Sequence, residues 1–170
     1  MSYELPWNPP TELTPVEQKI IKRCRGHRKF FIFLREHRHE FFDEEFQKEL
    51  DEMYRKTGAG KIPLPPGQLA MLTILQKYTA VSDKEAIELT VDSKRWQMVL
   101  GCLGAEEPLT SASVLFDFRT RLMATEMDKR LLEHSVEIAR KTGGFSAKSL
   151  RLALDSSPLE GHGRVEDTFN

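Results

Sequence analysis

The chain has 170 residues, enough for one domain with a sizeable core, and 39% of them are hydrophobic against 30% charged. Its formal net charge of -1 excludes the strongly basic composition of a small autonomous nucleic-acid binder, so any DNA affinity must come from local segregation of charge. Two distant cysteines argue against a disulfide framework, and the absence of a signal-like or bilayer-length apolar run predicts a cytoplasmic protein.

The first part of the chain, residues 1–13, is rich in proline and is predicted to be an extended arm with Trp7 as its anchor. Helices are predicted over residues 14–56. The first begins at Thr14-Pro15-Val16-Glu17, a capping box in which the Thr14 hydroxyl can accept from the Glu17 amide and the Glu17 side chain can reach back. This helix should break at Gly26, and two further amphipathic helices should follow it.

Charge is segregated along these helices. Basic residues dominate from Lys19 to Arg38, and acidic residues dominate from Glu40 to Glu52, with a single exception in each block. Two interpretations stay open: either the blocks pair with each other in a helical hairpin, or the basic block follows a phosphate backbone. On the second interpretation, the candidate DNA contacts of this block are Lys22, Arg25 and Arg28.

A stretch rich in glycine and proline, residues 57–67, is predicted to be a linker. Gly58-Ala59-Gly60-Lys61 within it fails as a phosphate loop, because Ile62 stands where that loop needs Ser or Thr and proline follows at once. Residues 68–143 are predicted to be a helical DNA-binding domain. Its first helix is apolar nearly all round, which is typical of the buried centre of a bundle.

Short capped helices within this domain are predicted to form a segment like a helix-turn-helix, in which the helix capped by Thr110 or Ser111 is presented to DNA. Several side chains of this helix are suited to phosphate or base contacts, because they lie outside the predicted core stripe or at its margin. They are Ser111, Ser113, Arg119, Thr120 and Arg121. The alternative is that these are ordinary polar positions on a bundle helix. A last amphipathic helix should end at Gly143-Gly144.

The hydrophobic pattern changes at the end of the domain. Leu150, Leu152 and Leu154 alternate with other residues, which predicts a β-strand, and Pro158 stops regular pairing after it. A strand that ends in Asp155 can hold this carboxylate rigidly for metal-dependent phosphate chemistry. The alternative is that Asp155 merely begins a turn.

Two stretches together resemble the N-terminal part of bacterial insertion-sequence transposases of the DDE type. The first runs from Leu64 to Leu122 and closes with a Thr/Ser-rich turn followed by Phe-Arg, here Ser111 to Arg119; the second is Leu150 to Gly161, with Leu154-Asp155-Ser156. In that family a helical domain precedes an RNase H-like catalytic domain. The resemblance implies an all-α, multi-helix bundle plus a C-terminal stub of the first RNase H-like strand, with residues 148–170 as the truncated start of the catalytic domain.

The resemblance also implies a function in DNA transposition. The helical region would bind double-stranded DNA at the terminal inverted repeats and support a homodimer. Asp155 would be the first of three catalytic carboxylates, which in the family hold two Mg2+ ions for in-line phosphoryl transfer. Because the later Asp and Glu are missing, we expect the chain alone to be inactive and to need no Mg2+. Two alternatives remain, a helical protein-interaction module that presents Phe116 and a non-functional truncated remnant.

The predicted strand has a structural consequence. An isolated strand cannot satisfy its backbone hydrogen bonds within a core. Without neighbouring strands, the segment after Gly144 is therefore expected to fray or to pack opportunistically on the helices.

Overall fold

The computed structural model describes residues 6–56 and 64–155, which contain nine α-helices and one 3₁₀ turn, Gly26–Arg28. No strand occurs in these two ranges, so the predicted all-α bundle is confirmed for them. None of their helices is long and apolar enough to cross a membrane. In chain order the helices are α1 (Pro15–Lys22), α2 (Lys29–Phe41), α3 (Glu44–Lys56), α4 (Pro66–Thr79), α5 (Asp83–Asp92), α6 (Lys94–Leu100), α7 (Ala112–Ala124), α8 (Met127–Thr142) and α9 (Ala147–Asp155).

Helix α4 is the centre of the bundle. Its residues 66–76 are all buried, and it packs against α3, α5, α6, α7 and α9. A helix without a polar face is stable in water only when other elements cover it on every side, which is why this sequence occupies the middle. Pro66 and Gly67, predicted to end the linker, instead form the first turn of α4, while linker residues 57–63 lie outside the described residues.

Of the three polar side chains that α4 buries, Thr73 donates within the helix to the Leu69 carbonyl, and the two glutamines have partners on neighbouring elements. The Gln68 Nε2 group donates to the Leu100 carbonyl at 2.9 Å, and the Gln76 Nε2 group donates to an Asp83 carboxylate oxygen at 2.6 Å. A buried amide left without such a partner would cost free energy. These bonds therefore fix α4 against the end of α6 and the start of α5.

The described part of the N-terminal arm, from residue 6 onward, is docked on the bundle. Trp7 is 7% exposed and serves as its anchor. The Gln47 side chain of α3 binds the Trp7 backbone on both sides: its Oε1 atom accepts from the Trp7 N–H at 2.6 Å, and its Nε2 group donates to the Trp7 carbonyl at 3.0 Å. The arm is thus held by backbone hydrogen bonds as well as by apolar packing, while residues 1–5 lie outside the described part.

Two buried arginines of α2 hold the arm and α1 in place. Arg35 forms an ion pair with Glu17 of α1, and its Nη2 group also donates to the Glu12 carbonyl at 2.8 Å. Arg38 donates to the Met98 carbonyl at 2.9 Å and to the Pro10 carbonyl at 2.7 Å. Burial, helped by the nearby positive charge of Arg35, lowers the pKa of Arg38 to about 10. Both cations are therefore structural.

The connection between α8 and α9 depends on two glycines. Gly143 ends α8 with a positive φ of 67°, a conformation that favours glycine. A Cβ atom on Gly144 would lie 2.9 Å from Phe33 Cδ1, so only glycine lets the chain pass this close to α2. The predicted stop at Gly143-Gly144 is confirmed, and it directs the following segment back onto the bundle.

The strand predicted for Leu150 to Asp155 is wrong, because the described chain forms helix α9 there. A helix satisfies its own backbone hydrogen bonds, whereas a lone strand needs neighbours to do so. Leu150 and Leu154, one helical turn apart, are 0% and 3% exposed, while Leu152 is 67% exposed. Helix α9 packs on α8 and α4 rather than fraying, and residues 156–170 lie outside the described part.

Candidate nucleic-acid interface

The basic block from Lys19 to Arg38 divides into a buried and an exposed part. Arg35 and Arg38 are buried in the contacts described above and cannot follow a phosphate backbone in this fold. The remaining cations are exposed around the end of α1 and the 3₁₀ turn, and they are Lys19, Lys22, Arg23, Arg25, Arg28 and Lys29. The three predicted DNA contacts of the block, Lys22, Arg25 and Arg28, are therefore all accessible to a polyanion.

The acidic block lies against a different part of the molecule. Glu49 of α3 forms a two-atom ion pair with Arg130 of α8, at 2.9 Å from Nε and 3.0 Å from Nη2. Glu44 pairs with Lys48 one turn later on the same helix at 3.4 Å. Neither contact joins the acidic block to the exposed basic residues. The predicted hairpin, in which the two blocks pair with each other, is therefore not seen at Glu44 or Glu49.

Four cations border a cleft of about 980 Å³. Its walls come from the end of α1, the 3₁₀ turn, the end of α4, the junction of α5 with α6, and the segment from Phe145 through α9. Among the described residues that line it, Asp92 is the single carboxylate, and the cations are Arg23, Arg28, Lys94 and Arg95. A chain of net charge -1 therefore concentrates positive charge at one recess, where it raises the local potential felt by an anion.

The cleft also has an aromatic lining, formed by Phe31, Tyr78, Trp96 and Phe145. Phe31 and Trp96 are buried, whereas Tyr78 and Phe145 are half-buried and reachable from the cleft. The Arg95 guanidinium lies over the Phe31 ring at 5.5 Å from its centroid. Cations beside partly exposed rings are the combination that single nucleic-acid strands use for phosphate contact and base stacking.

The predicted contacts on α7 are not brought to this cleft. Ser111 is the N-cap of α7, and its hydroxyl accepts from the Val114 N–H at 3.3 Å. Ser113 and Thr120 are exposed on the same helix. The polar positions of α7 therefore face solvent, on another part of the surface from the cleft.

The two arginines of α7 are engaged within the fold. Arg119 was predicted to project away from the core, but it is 8% exposed and forms an ion pair with Asp83 at the start of α5. The Arg121 guanidinium lies over the Tyr54 ring at 4.5 Å. The exposed residues of α7 consequently include Asp117 and no Lys or Arg. This face lacks the positive charge that phosphate contact requires.

Asp155, the predicted metal ligand, is exposed at the last residue of α9. Among the described residues, no group of three His, Cys, Asp or Glu side chains could hold a metal ion. The charged neighbours of Asp155 include Lys77. The Lys77 Nζ atom lies 3.5 Å from the Leu154 carbonyl, and burial lowers the pKa of Lys77. The described surroundings of Asp155 therefore do not fit a two-metal site, and its catalytic role stays a prediction.

Arg23 lies in the basic block but was not among its predicted contacts, and four further residues of the cleft were missed from the sequence: Lys94, Arg95, Tyr78 and Phe145. They come from three separate segments, and packing of α6 and α9 on α4 brings them to Arg28. One local signal was present, since two adjacent cations directly follow the Ser93 cap of α6. No local pattern marks the aromatic pair, because each ring also fits a core position.

A comparison with known protein families identifies the chain. The family model described as Transposase domain (DUF772) matches residues 17–121. The match begins in α1 and ends in α7, so it includes all four cations of the cleft but not α9. No curated protein and no solved structure matches the chain. Because the matched segment is more than half of the sequence, the chain belongs to this family of transposase domains and has a role in transposition.

Proposed function

We propose that the chain binds double-stranded DNA at the terminal inverted repeats of an insertion sequence, as the N-terminal portion of a transposase of the DDE type. The observation that supports this proposal is the concentration of four cations and one carboxylate around the cleft. Lysine and arginine side chains that neutralise phosphates release condensed counterions, and this release drives DNA binding. Lys22 and Arg25, next to Arg23 and exposed, extend the positive surface along the backbone of a bound duplex.

The proposal for the described residues is confined to binding. Metal-dependent strand cleavage and transfer, which the DDE type implies, needs several carboxylates around two ions. The described surroundings of Asp155 do not supply them. The homodimer implied by the resemblance also stays a prediction.

The first test is a titration of fluorescently labelled duplex carrying an element end, followed by anisotropy. We expect the double substitution Arg28→Glu with Lys94→Glu to weaken binding by at least about tenfold at low salt, because it places two repulsive carboxylates at the cleft. The wild-type affinity should fall linearly with the logarithm of salt concentration, with a slope that decreases by about one for each phosphate contact removed.

A matched control is available at two exposed lysines outside the cleft, each paired with a glutamate. Lys48→Glu with Lys129→Glu changes the net charge by the same amount at side chains that are 73% and 76% exposed. This variant should retain most of the affinity, since neither lysine lines the cleft. Equal losses in the two double variants would show that only total charge matters and would count against the cleft. An affinity that does not depend on salt would count against phosphate binding altogether.

A second test distinguishes the cleft from helix α7. We expect Arg119→Ala to leave DNA affinity within about twofold of wild type and to lower the free energy of unfolding by about 1–3 kcal/mol, because it removes a largely buried charged hydrogen bond. Thermal unfolding and anisotropy measure the two effects separately. Asp83→Ala is the companion variant: if Arg119 contacted DNA, releasing it from Asp83 should tighten binding. Loss of DNA binding by folded Arg119→Ala protein would identify α7, and not the cleft, as the contact surface.

A further inference from the structure

We propose that the cleft itself holds unpaired nucleotides of the bound DNA, with a base in contact with both Tyr78 and Phe145, stacked on one ring and edge-on to the other, and the adjoining phosphates on the surrounding cations. This inference rests on the proposed DNA binding, and it specifies which part of the DNA enters the cleft. It concerns the two half-buried rings, which we call the aromatic corner.

The size of the recess selects among nucleic-acid structures. A volume of about 980 Å³ is at the upper end of pockets that enclose small ligands, which span about 300–1,000 Å³. One or two nucleotides fit in such a space, whereas a base-paired duplex is far too wide to enter it. A duplex therefore contacts the outer cations alone, and the interior is accessible to nucleotides that have left the base stack.

The aromatic corner has the geometry of a stacking platform. Tyr78 stacks on Phe30 with ring centroids 3.7 Å apart and planes 19° apart, so one of its faces is covered by the core. Phe145 stands nearly perpendicular to Tyr78, at 76° and 6.0 Å. The Tyr78 hydroxyl donates to the His27 carbonyl at 3.4 Å and helps to fix its ring. A base that stacks on one ring meets the other nearly at a right angle, and every base offers the π-face that stacking needs.

Cations from separate elements line the same cleft as the aromatic corner. Arg23 and Arg28 come from the end of α1 and the 3₁₀ turn, and Arg95 comes from the start of α6. The Arg95 Nε group is buried and has no hydrogen-bond partner among the described residues. This atom has almost no accessible surface, so an anion in the cleft would bind Arg95 through the other N–H groups of its guanidinium.

The experiment compares two DNA probes of the same sequence, one fully paired and one with an unpaired 3′ tail that carries 2-aminopurine. Wild-type protein should bind the tailed probe about tenfold more tightly and should quench the 2-aminopurine fluorescence by stacking. Tyr78→Leu and Phe145→Leu should each bring this ratio close to one and abolish the quenching. Both should keep their affinity for the fully paired probe, because the cations remain.

Two control variants separate stacking from other effects. Tyr78→Phe keeps the ring and loses only the hydroxyl, so it should retain the preference for the tailed probe. Phe116→Leu removes a ring that is 56% exposed on α7, away from the cleft, and should also retain it. Circular dichroism and thermal unfolding establish that each variant is folded. If Tyr78→Leu destabilises the protein because it loses the stack on Phe30, Phe145→Leu provides the test of stacking.

The outcomes that contradict the inference are distinct from those that contradict DNA binding. Equal wild-type affinity for the tailed and the paired probe would overturn the inference and leave DNA binding intact. Wild-type binding to neither probe would overturn both. A free deoxynucleoside monophosphate that binds as tightly as the tailed probe would mark the cleft as a small-molecule site and overturn the inference as well.

Discussion

Replacing Glu17 with alanine should lower the free energy of unfolding by about 3–5 kcal/mol, because it leaves the charge of Arg35 buried without its counterion. Arg35 is 1% exposed and Glu17 is 6% exposed. Two hydrogen bonds join them, from Nε to Oε1 at 3.1 Å and from Nη2 to Oε2 at 3.0 Å. Urea unfolding followed by circular dichroism measures the loss, which is a large fraction of the stability of an ordinary domain.

The chain contains a matched control for this effect. Arg151 and Glu133 make the same two-atom contact, at 2.9 Å and 3.0 Å, but their side chains are 41% and 59% exposed. Solvent screens an exposed pair and can hydrate either partner alone, so Glu133→Ala should change stability little. Equal effects of Glu17→Ala and Glu133→Ala would show that the ion-pair geometry, and not burial, determines its contribution.

The same carboxylate predicts a dependence of stability on pH. Burial acts to raise the pKa of Glu17, but hydrogen bonds from Arg35 and from the Thr14 N–H, with the charges of Arg35 and Arg38, outweigh it and lower the pKa below its ordinary value of 4.5. Stability from a lowered carboxyl pKa is fully present above the unfolded-state value and is lost as the pH falls through the folded-state value. The difference in stability between wild type and Glu17→Ala should therefore narrow in acid below pH 4.5.

The features that could be predicted from the sequence are those with local causes. The Thr14 capping box, the Ser111 cap and the Gly143 stop all act within one turn of a helix, and each was found as predicted. The buried centre of the bundle was equally predictable, because the sequence of α4 has no polar face. These helix caps and the central helix of the bundle thus follow from neighbouring residues alone.

The features that could not be predicted depend on contacts between distant residues. Arg35 and Arg38 belong to a run of cations in the sequence, and only their partners on α1, the arm and α6 make them structural. The sequence of α7 predicts an outward position for Arg119, but in the structure Arg119 is paired with Asp83, 36 residues earlier in the chain. The cleft likewise needs packing of α6 and α9 on α4. Sequence reasoning therefore found positive charge but could not separate its structural part from its exposed part.

Helix α9 shows how one pattern supports two structures. Leucines at positions 150, 152 and 154 share one face of a strand, but the first and last of them also share one face of a helix. Ser146, two residues after Gly144, carries the local signal for the helix: its hydroxyl accepts from the Ser149 N–H at 3.3 Å and caps the first turn. The end is held as well, because Lys77 of α4 lies against the Leu154 carbonyl.

Single alanine substitutions in α9 distinguish the two structures by experiment. In the helix, Leu150→Ala should cost about 2–5 kcal/mol of unfolding free energy, because the side chain is 0% exposed between α4 and α8. Leu152→Ala should cost less than about 0.5 kcal/mol, since 67% of that residue is exposed. A strand would place both leucines on the same face and make their costs similar. Chemical denaturation of the two variants under identical conditions measures the contrast, and similar losses would show that the leucines share one buried face, as in a strand.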